Sequence, residues 1–295
     1  WRITSSSAKR QEREAEKVSC NQFSRFSIIQ KDSGGSYNRF FIANSAYYCS
    51  LFVERSAQSV PKILDVWPTA TDLFIEPHRK LLNRYVSKGF KVDVSRIKYG
   101  THSIESYFDE NFNAPYIVDE VVKGEKKGYD AVIIDCFGDP SVKAAREAVR
   151  IPVVGPRESA LHLACMLGTR FSVITVGGLP VTKLLTSSIH ELGFGYRFAS
   201  IRNTGLMVLD IDEDQKITID RLVKEGKKAI KEDGADILVL GCTGLSETAQ
   251  KYKLQERVGV PVVDPTLAAL KIAETLVGLN LTHSKLGFPE PPKKP

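Results

Sequence analysis

No apolar run in the 295 residues approaches the ~18 consecutive apolar positions of a membrane-spanning helix. The most apolar early stretch, 40–53, is broken by Asn44, Ser45 and Ser50. A membrane partner is therefore not expected. Cysteine is scarce: five residues, an odd number, at long spacings and without a CxxC pair. That argues against a disulfide framework and for a reducing, cytoplasmic setting. The five histidines (His78, His102, His162, His190, His283) show no metal-ligand spacing. Walker and GxGxxG patterns are missing, so Gly177-Gly178 alone is no basis for nucleotide binding. A strong charge of one sign is lacking too. Net charge is +6, of which residues 1–60 carry +4 and the remainder only +2, so nucleic acid is not an expected partner. No signal-peptide pattern opens the chain, which begins on Trp1 as a fragment would.

What is present divides into four stretches. Residues 1–60 are rich in Ser, Arg and Gln, with a short charged helix candidate at 8–18, and read as a poorly ordered extension or as sequence foreign to the fold. From Lys62 onward short apolar runs alternate with amphipathic ones: strands at 63–67, 90–97 and 131–135, helices at 72–88 and 140–149. The run Ala131–Asp135 is β-branched and continuous, as in a strand buried on both faces. Strands separated by helices predict an α/β fold with mainly parallel sheets flanked by helices. The Pro/Lys-rich end, 280–295, reads as a tail, disordered from Gly287.

An internal repeat gives the clearest organisation. Gly128-Tyr-Asp-Ala-Val-Ile-Ile-Asp-Cys136 aligns without a gap with Gly234-Ala-Asp-Ile-Leu-Val-Leu-Gly-Cys242. Ile151-Pro-Val-Val-Gly-Pro156 then matches Val260-Pro-Val-Val-Asp-Pro265, and Ser159–Ala164 matches Ala268–Ala273. The body is thus expected to be two pseudosymmetric lobes, 61–167 and 168–279, with the active site in the cleft between them.

Each repeated cysteine ends a buried strand, where parallel sheets bind ligands. One cysteine in that position is ordinarily a small core residue. Two at equivalent positions, each before a Gly-containing turn, point to chemistry. Across a shared cleft one thiol removes a proton from one face of a carbon and the other returns it to the opposite face. A helix N-terminus after each cysteine, with Asp139 as a cap and Pro140 in the first turn, is expected to stabilise thiolate. Backbone N–H groups around Phe137, Gly138, Thr243 and Gly244 are expected to hold a developing enolate oxygen. Cys165 fits an apolar helix, and Cys20 and Cys49 carry no signal.

Asp135-Cys-Phe-Gly-Asp-Pro140 and Leu240-Gly-Cys-Thr-Gly244 resemble the two cysteine motifs of the Asp/Glu/hydantoin racemase superfamily, in its hydantoin/allantoin racemase branch. Gly100–Glu105, Arg170–Thr175 and Gly259–Asp264 resemble further segments, and the match covers roughly 61–278. The resemblance implies an isomerase that needs no metal and no pyridoxal cofactor, with Cys136 and Cys242 as acid and base. It also implies substrate contacts from the turns after the first strand of each lobe: Pro68, Thr69 and Thr71, and Thr175 with Val176. The first turn reads Trp67-Pro68-Thr69-Ala70-Thr71 where the branch has an Asn-Pro-Asn-Thr-like turn, which puts a Trp at the expected cleft floor. The expected partner is a small molecule, foremost a hydantoin- or allantoin-like cyclic ureide, and the expected assembly a homo-oligomer. An amino-acid racemase or a maleate-type isomerase is the alternative enzyme; a non-catalytic small-molecule-binding protein is the alternative of another class. Glu105 and Asp109 read either as gating or lining the cleft or as a solvated helix start.

Overall fold

The computed structural model describes residues 27–31, 37–41, 60–211 and 213–292. The chain forms two units, 1–59 and 60–295. In the first, strands β1 (Ser27–Lys31) and β2 (Tyr37–Phe41) pair antiparallel, Ser27 opposite Phe41. The composition there gave no hint of strands. The helix candidate at 8–18 lies outside the described residues.

The second unit carries two four-stranded parallel sheets. The first contains β3 (Lys62–Trp67), β4 (Lys91–Arg96), β5 (Ala131–Ile134) and β6 (Val153–Val154), in the order β4-β3-β5-β6. The second contains β7 (Phe171–Thr175), β8 (Phe198–Asn203), β9 (Ile237–Leu240) and β10 (Val262–Val263), in the equivalent order β8-β7-β9-β10. The repeat in the sequence is thus a repeat of topology. β5 and β9 are fully buried central strands, and their continuous apolar side chains each contribute roughly 1.5–3 kcal/mol on burial. One residue beyond each strand the ladder closes the same way: Asp135 N–H bonds Val66 C=O at 2.9 Å, and Gly241 N–H bonds Ile174 C=O at 2.8 Å. Each cysteine is the next residue.

Among the described residues the α-helices are α1 (Ile75–Tyr85), α2 (Tyr107–Lys126), α3 (Val142–Ala148), α4 (Pro156–Leu167), α5 (Gly178–Glu191), α6 (Gln215–Asp233), the short α7 (Ser246–Lys251) and α8 (Leu254–Val258), and α9 (Pro265–Gly278). Packing does not follow chain order. Ala160, Leu161 and Ala164 of α4 share a core with Phe171, Val173 and Ile237 of the second sheet. Ala269, Leu270 and Ala273 of α9 share one with Ile63, Ala131 and Ile133 of the first. The last helix of each repeat covers the other repeat's sheet, and the two helices also pack on each other.

Asp139 does not cap the helix that follows it, as its position had suggested. That helix starts at Val142, with Ser141 as N-cap and no side-chain bond. The Asp139 carboxylate instead accepts the Arg157 and Glu158 N–H groups, both at 2.9 Å, at the start of α4. There the N-cap is Gly155, where its repeat partner in α9 is Asp264, which caps Leu267 N–H at 3.2 Å. Asp139 replaces the side chain Gly155 lacks, and so ties the Cys136 loop to α4.

The tail expected to be disordered from Gly287 lies against the first repeat as far as Glu290. Val153 N–H on edge strand β6 bonds His283 Nε2 at 2.9 Å. Burial, with help from Arg146, holds His283 down to about 4, so the ring is neutral, and its Nε2 lies 2.9 Å from both the N–H and the C=O of Val153. Lys285 Nζ donates to the carbonyls of Arg146, Glu147 and Val149 at the end of α3, where a cation suits the helix dipole. Arg150 pairs with Glu290 at 2.5 Å.

A side chain at 155 would meet Asp139 Cγ at 2.5 Å. Gly155→Asp alone is therefore expected to cost about 1–3 kcal/mol. Gly155→Asp with Asp139→Gly, which moves the cap to the place it holds in α9, should recover most of that loss in urea unfolding. Glycine suits position 139, where φ is 49°.

Candidate active site

Cys136 and Cys242 are brought to one cavity. Its volume is about 40 Å³, and its walls are Ile104, Phe137, Thr175, Val176, Val181, Leu184, Leu185, Val208 and Thr243, with Gly138, Gly241, Glu105 and Glu110. The repeat thus places both thiols where the sequence put them. Of the other expected residues, Phe137, Gly138, Thr175, Val176 and Thr243 line the cavity, and Gly244 sits behind Cys242, where a Cβ would be 3.6 Å from its sulfur.

Pro68, Thr69 and Thr71 do not line it. Trp67 turns into the core against Phe74 and His78, ring centroids at 5.1 and 4.6 Å, rather than flooring a cleft. Pro68 C=O accepts the Asn113 amide at 3.0 Å, Thr71 Oγ1 accepts Leu73 N–H at 3.3 Å, and Thr69 is buried.

The two cysteine loops come from different sheets, and buried polar bonds join them. Thr243 Oγ1 donates to Asp135 C=O at 3.1 Å, linking the residues beside the two thiols. The Asp135 carboxylate sits 2.6 Å from His78 Nε2 and accepts Thr266 Oγ1 at 3.0 Å. Ser246 Oγ bonds Asp264 at 2.8 Å in the same seam. Phe137 anchors the Cys136 loop in the second sheet's core. Thr175 Oγ1 donates to Gly241 C=O at 3.0 Å, steadying the Cys242 loop. Asp65, wholly buried with neither oxygen bonded, is pushed well above the carboxylate range by burial and by Asp135.

Of the backbone N–H groups expected to hold an enolate, those of Gly138 and Gly244 face the sulfurs. Gly138 N–H points at Cys136 Sγ, 3.4 Å away, and Gly244 and Leu245 N–H groups act on Cys242. They do not outweigh desolvation. Burial pushes Cys136 well above the ordinary thiol range, with Glu110, Cys242 and Asp139 adding to the rise. Burial likewise pushes Cys242 up to about 12, with Asp135 and Glu105 adding. Helix dipoles offer little: five residues separate Cys136 from α3, and Cys242 leads into a single 3-10 turn. Both thiols rest protonated, where the helix-start reading had expected thiolate.

A family profile, Asp/Glu/Hydantoin racemase, matches residues 63–273. The chain belongs to the Asp/Glu/hydantoin racemase family. It is 44% identical over 198 residues to a hydantoin racemase of Pseudomonas sp. (strain NS671), covering 67% of this chain and 78% of that one. It is 34% identical to a hydantoin racemase of Paenarthrobacter aurescens, over 76% of this chain and 94% of the relative. Among solved structures, allantoin racemase from Klebsiella pneumoniae superposes with a TM-score of 0.74 at 32% identity, covering 79% and 95% of the two chains. These matches place the chain in the hydantoin/allantoin branch, among racemases of the isomerase class. The two-lobed α/β arrangement is the family's fold. Among the described residues no three His, Cys, Asp or Glu side chains converge as a metal site, and no helix is long and apolar enough to cross a membrane.

Two acidic residues of the cavity carry a weak sequence signal or none. Glu105 reads in the sequence as a cleft or helix-start residue, and Glu110, one turn into α2, gives no signal there. Glu110 is pushed up to about 7, chiefly by burial, with Arg157 opposing and Asp139 and Asp109 reinforcing. An unfolded Glu titrates near 4.5. The folded state therefore holds its proton more tightly, and stability falls as pH rises from there through about 7. Glu110→Gln should raise Tm at pH 8 and leave it unchanged at pH 5, measured by calorimetry. An equal change at both pH values would show that Glu110 carries no buried charge.

Proposed function

We propose that this racemase inverts a carbon alpha to a carbonyl in a hydantoin- or allantoin-type cyclic ureide, with Cys136 and Cys242 as the acid–base pair. One observation carries the reading: two cysteines from equivalent strands of a repeated fold line one and the same cavity. The thiolate of one takes the α-proton, the carbon flattens as an enolate, and the neutral thiol of the other protonates the opposite face. The two sulfurs share the work in either direction, so the roles exchange between enantiomers.

Electrostatics fit a weak carbon acid. Burial and nearby carboxylates raise both thiols, and a base is more effective when its own affinity for a proton approaches that of the carbon it deprotonates. Each thiolate, once formed, has N–H donors waiting at Gly138 or at Gly244 and Leu245. Ionising one thiol makes the second harder to ionise, because Cys242 bears on Cys136. In the working state the pair, with both thiols protonated at rest, has therefore released one proton to solvent and kept the other.

The lining favours a ureide over an amino acid. An amino acid presents a carboxylate that needs a cationic partner, and the cavity walls bring two glutamates and no Lys, Arg or His. The named activities of the relatives, hydantoin and allantoin racemisation, agree with a neutral ring.

The test is α-proton exchange in deuterated water with 5-substituted hydantoins, allantoin and free amino acids, read by mass and circular dichroism. Wild type should racemise a cyclic ureide with uptake of one deuteron. Cys136→Ser and Cys242→Ser should each lower racemisation by at least about 1,000-fold, in keeping with loss of a proton-transfer group. Each should keep exchange with only one enantiomer, and not the same one. Full racemisation by both variants, or binding without exchange by wild type, would remove the two-thiol reading.

A further inference from the structure

We infer that Glu105 and Glu110 form the site's ring-recognition pair, their free carboxylate oxygens accepting N–H groups of a ureide held between Cys136 and Cys242. The inference rests on the ureide racemase reading above and gives that site its specificity element. Glu105 Oε2 and Glu110 Oε1 are both buried and have no hydrogen-bond partner, yet both residues line the cavity with the two thiols. A buried acceptor left unmet costs about 1–3 kcal/mol, more when charged. Two in one small cavity mark places where a ligand brings donors.

The carboxylates are positioned, not loose. Glu105 N–H bonds Asp109 Oδ2 at 3.0 Å, and Ser106 Oγ donates to the same oxygen at 2.8 Å. Asn113 accepts Thr101 N–H at 2.9 Å and donates to Pro68 C=O at 3.0 Å, so the loop leading into α2 is pinned to the first sheet. Two bare glycines leave room for the side chains. A Cβ on Gly138 would collide with Glu110 Oε1 and lie 3.5 Å from Cys136 Sγ, and one on Gly177 would lie 3.4 Å from Glu105 Oε2. Each glutamate also bears on its own thiol, Glu110 on Cys136 and Glu105 on Cys242. The groups bearing on Glu110 are Asp109 from its own helix, Asp139 from the Cys136 loop and Arg157 from α4.

The chemistry selects a ring with N–H donors. A hydantoin carries two, at N1 and N3, and no negative charge. A carboxylate-bearing substrate meets two further carboxyl groups and no cation in a desolvated space, which disfavours it.

The probe is 5,5-dimethylhydantoin, which binds as a ureide but has no α-proton to lose, with its N1-methyl and N3-methyl derivatives. Affinities are measured by calorimetry at pH 8.5, where Glu110 is ionised, on the full chain. Glu105→Gln and Glu110→Gln should each weaken the parent compound by roughly 10-fold or more, the value of a charge-assisted bond. N-methylation at one nitrogen should weaken wild type by a similar factor and leave at least one Gln variant nearly unaffected, since that bond is already lost. Circular dichroism confirms that the variants are folded. Gln variants that bind the parent compound as tightly as wild type overturn the pairing while leaving racemisation of hydantoins intact. Weakening that is the same for parent and methylated rings overturns it too, because the effect is then on shape. If wild type neither binds nor exchanges any cyclic ureide, the substrate reading itself has failed and the inference goes with it.

Discussion

A hydrogen bond from Thr243 Oγ1 to the carbonyl of Asp135 joins the loops that carry the two thiols. Those loops end strands of separate sheets, so nothing in local secondary structure fixes their distance. The seam around the bond does: His78 against Asp135, Thr266 on the same carboxylate, and Ser246 on Asp264. Removing one partner from a buried hydrogen-bonded pair of this kind costs about 1–3 kcal/mol. The exchange of α4 and α9 between sheets reinforces the seam from outside. A cavity this small tolerates little drift, because proton transfer needs donor and acceptor within hydrogen-bond reach of the carbon.

The same close packing sets the electrostatics. Desolvation is the largest influence on Cys136, Cys242, Glu110 and Asp139, and raises all four. Such groups are costly to keep charged, and a fold selected for stability alone would have replaced them with apolar side chains. Asp139 illustrates the balance. Its burial raises it to about 6, yet its carboxylate caps α4 and, at φ 49°, bends the Cys136 loop into a left-handed turn. The strain and the charge both serve to present one sulfur.

Much of the framework was legible in the sequence. The gapless alignment of 128–136 with 234–242 foretold matching sheets, and the apolar runs before Cys136 and Cys242 foretold that both would emerge at strand ends. What escaped depends on contacts distant in sequence. Asp139 looked like a cap for the next helix because capping is usually local; its true partners are 18 and 19 residues on. Pro68, Thr69 and Thr71 occupy the turn expected to meet substrate, but Trp67 finds a better home beside Phe74 and His78 and keeps that turn off the cavity. Glu105 and Glu110 resemble any acidic helix start until tertiary packing buries them. An acid inside a buried strand, Asp65, and one just before Cys136 were visible signals of the polar seam that went unread. The docked tail was missed because composition describes flexibility, whereas Lys285 and His283 act through individual bonds.

The most direct measurement is a crystal structure of the Cys136→Ser/Cys242→Ser protein with a 5-substituted hydantoin bound. Two-sided proton transfer requires the ring's C5 to lie between the side chains of residues 136 and 242, one on each face and each within about 3.5 Å of a reacting atom. A ring seated elsewhere, or with both side chains on the same face, would contradict it.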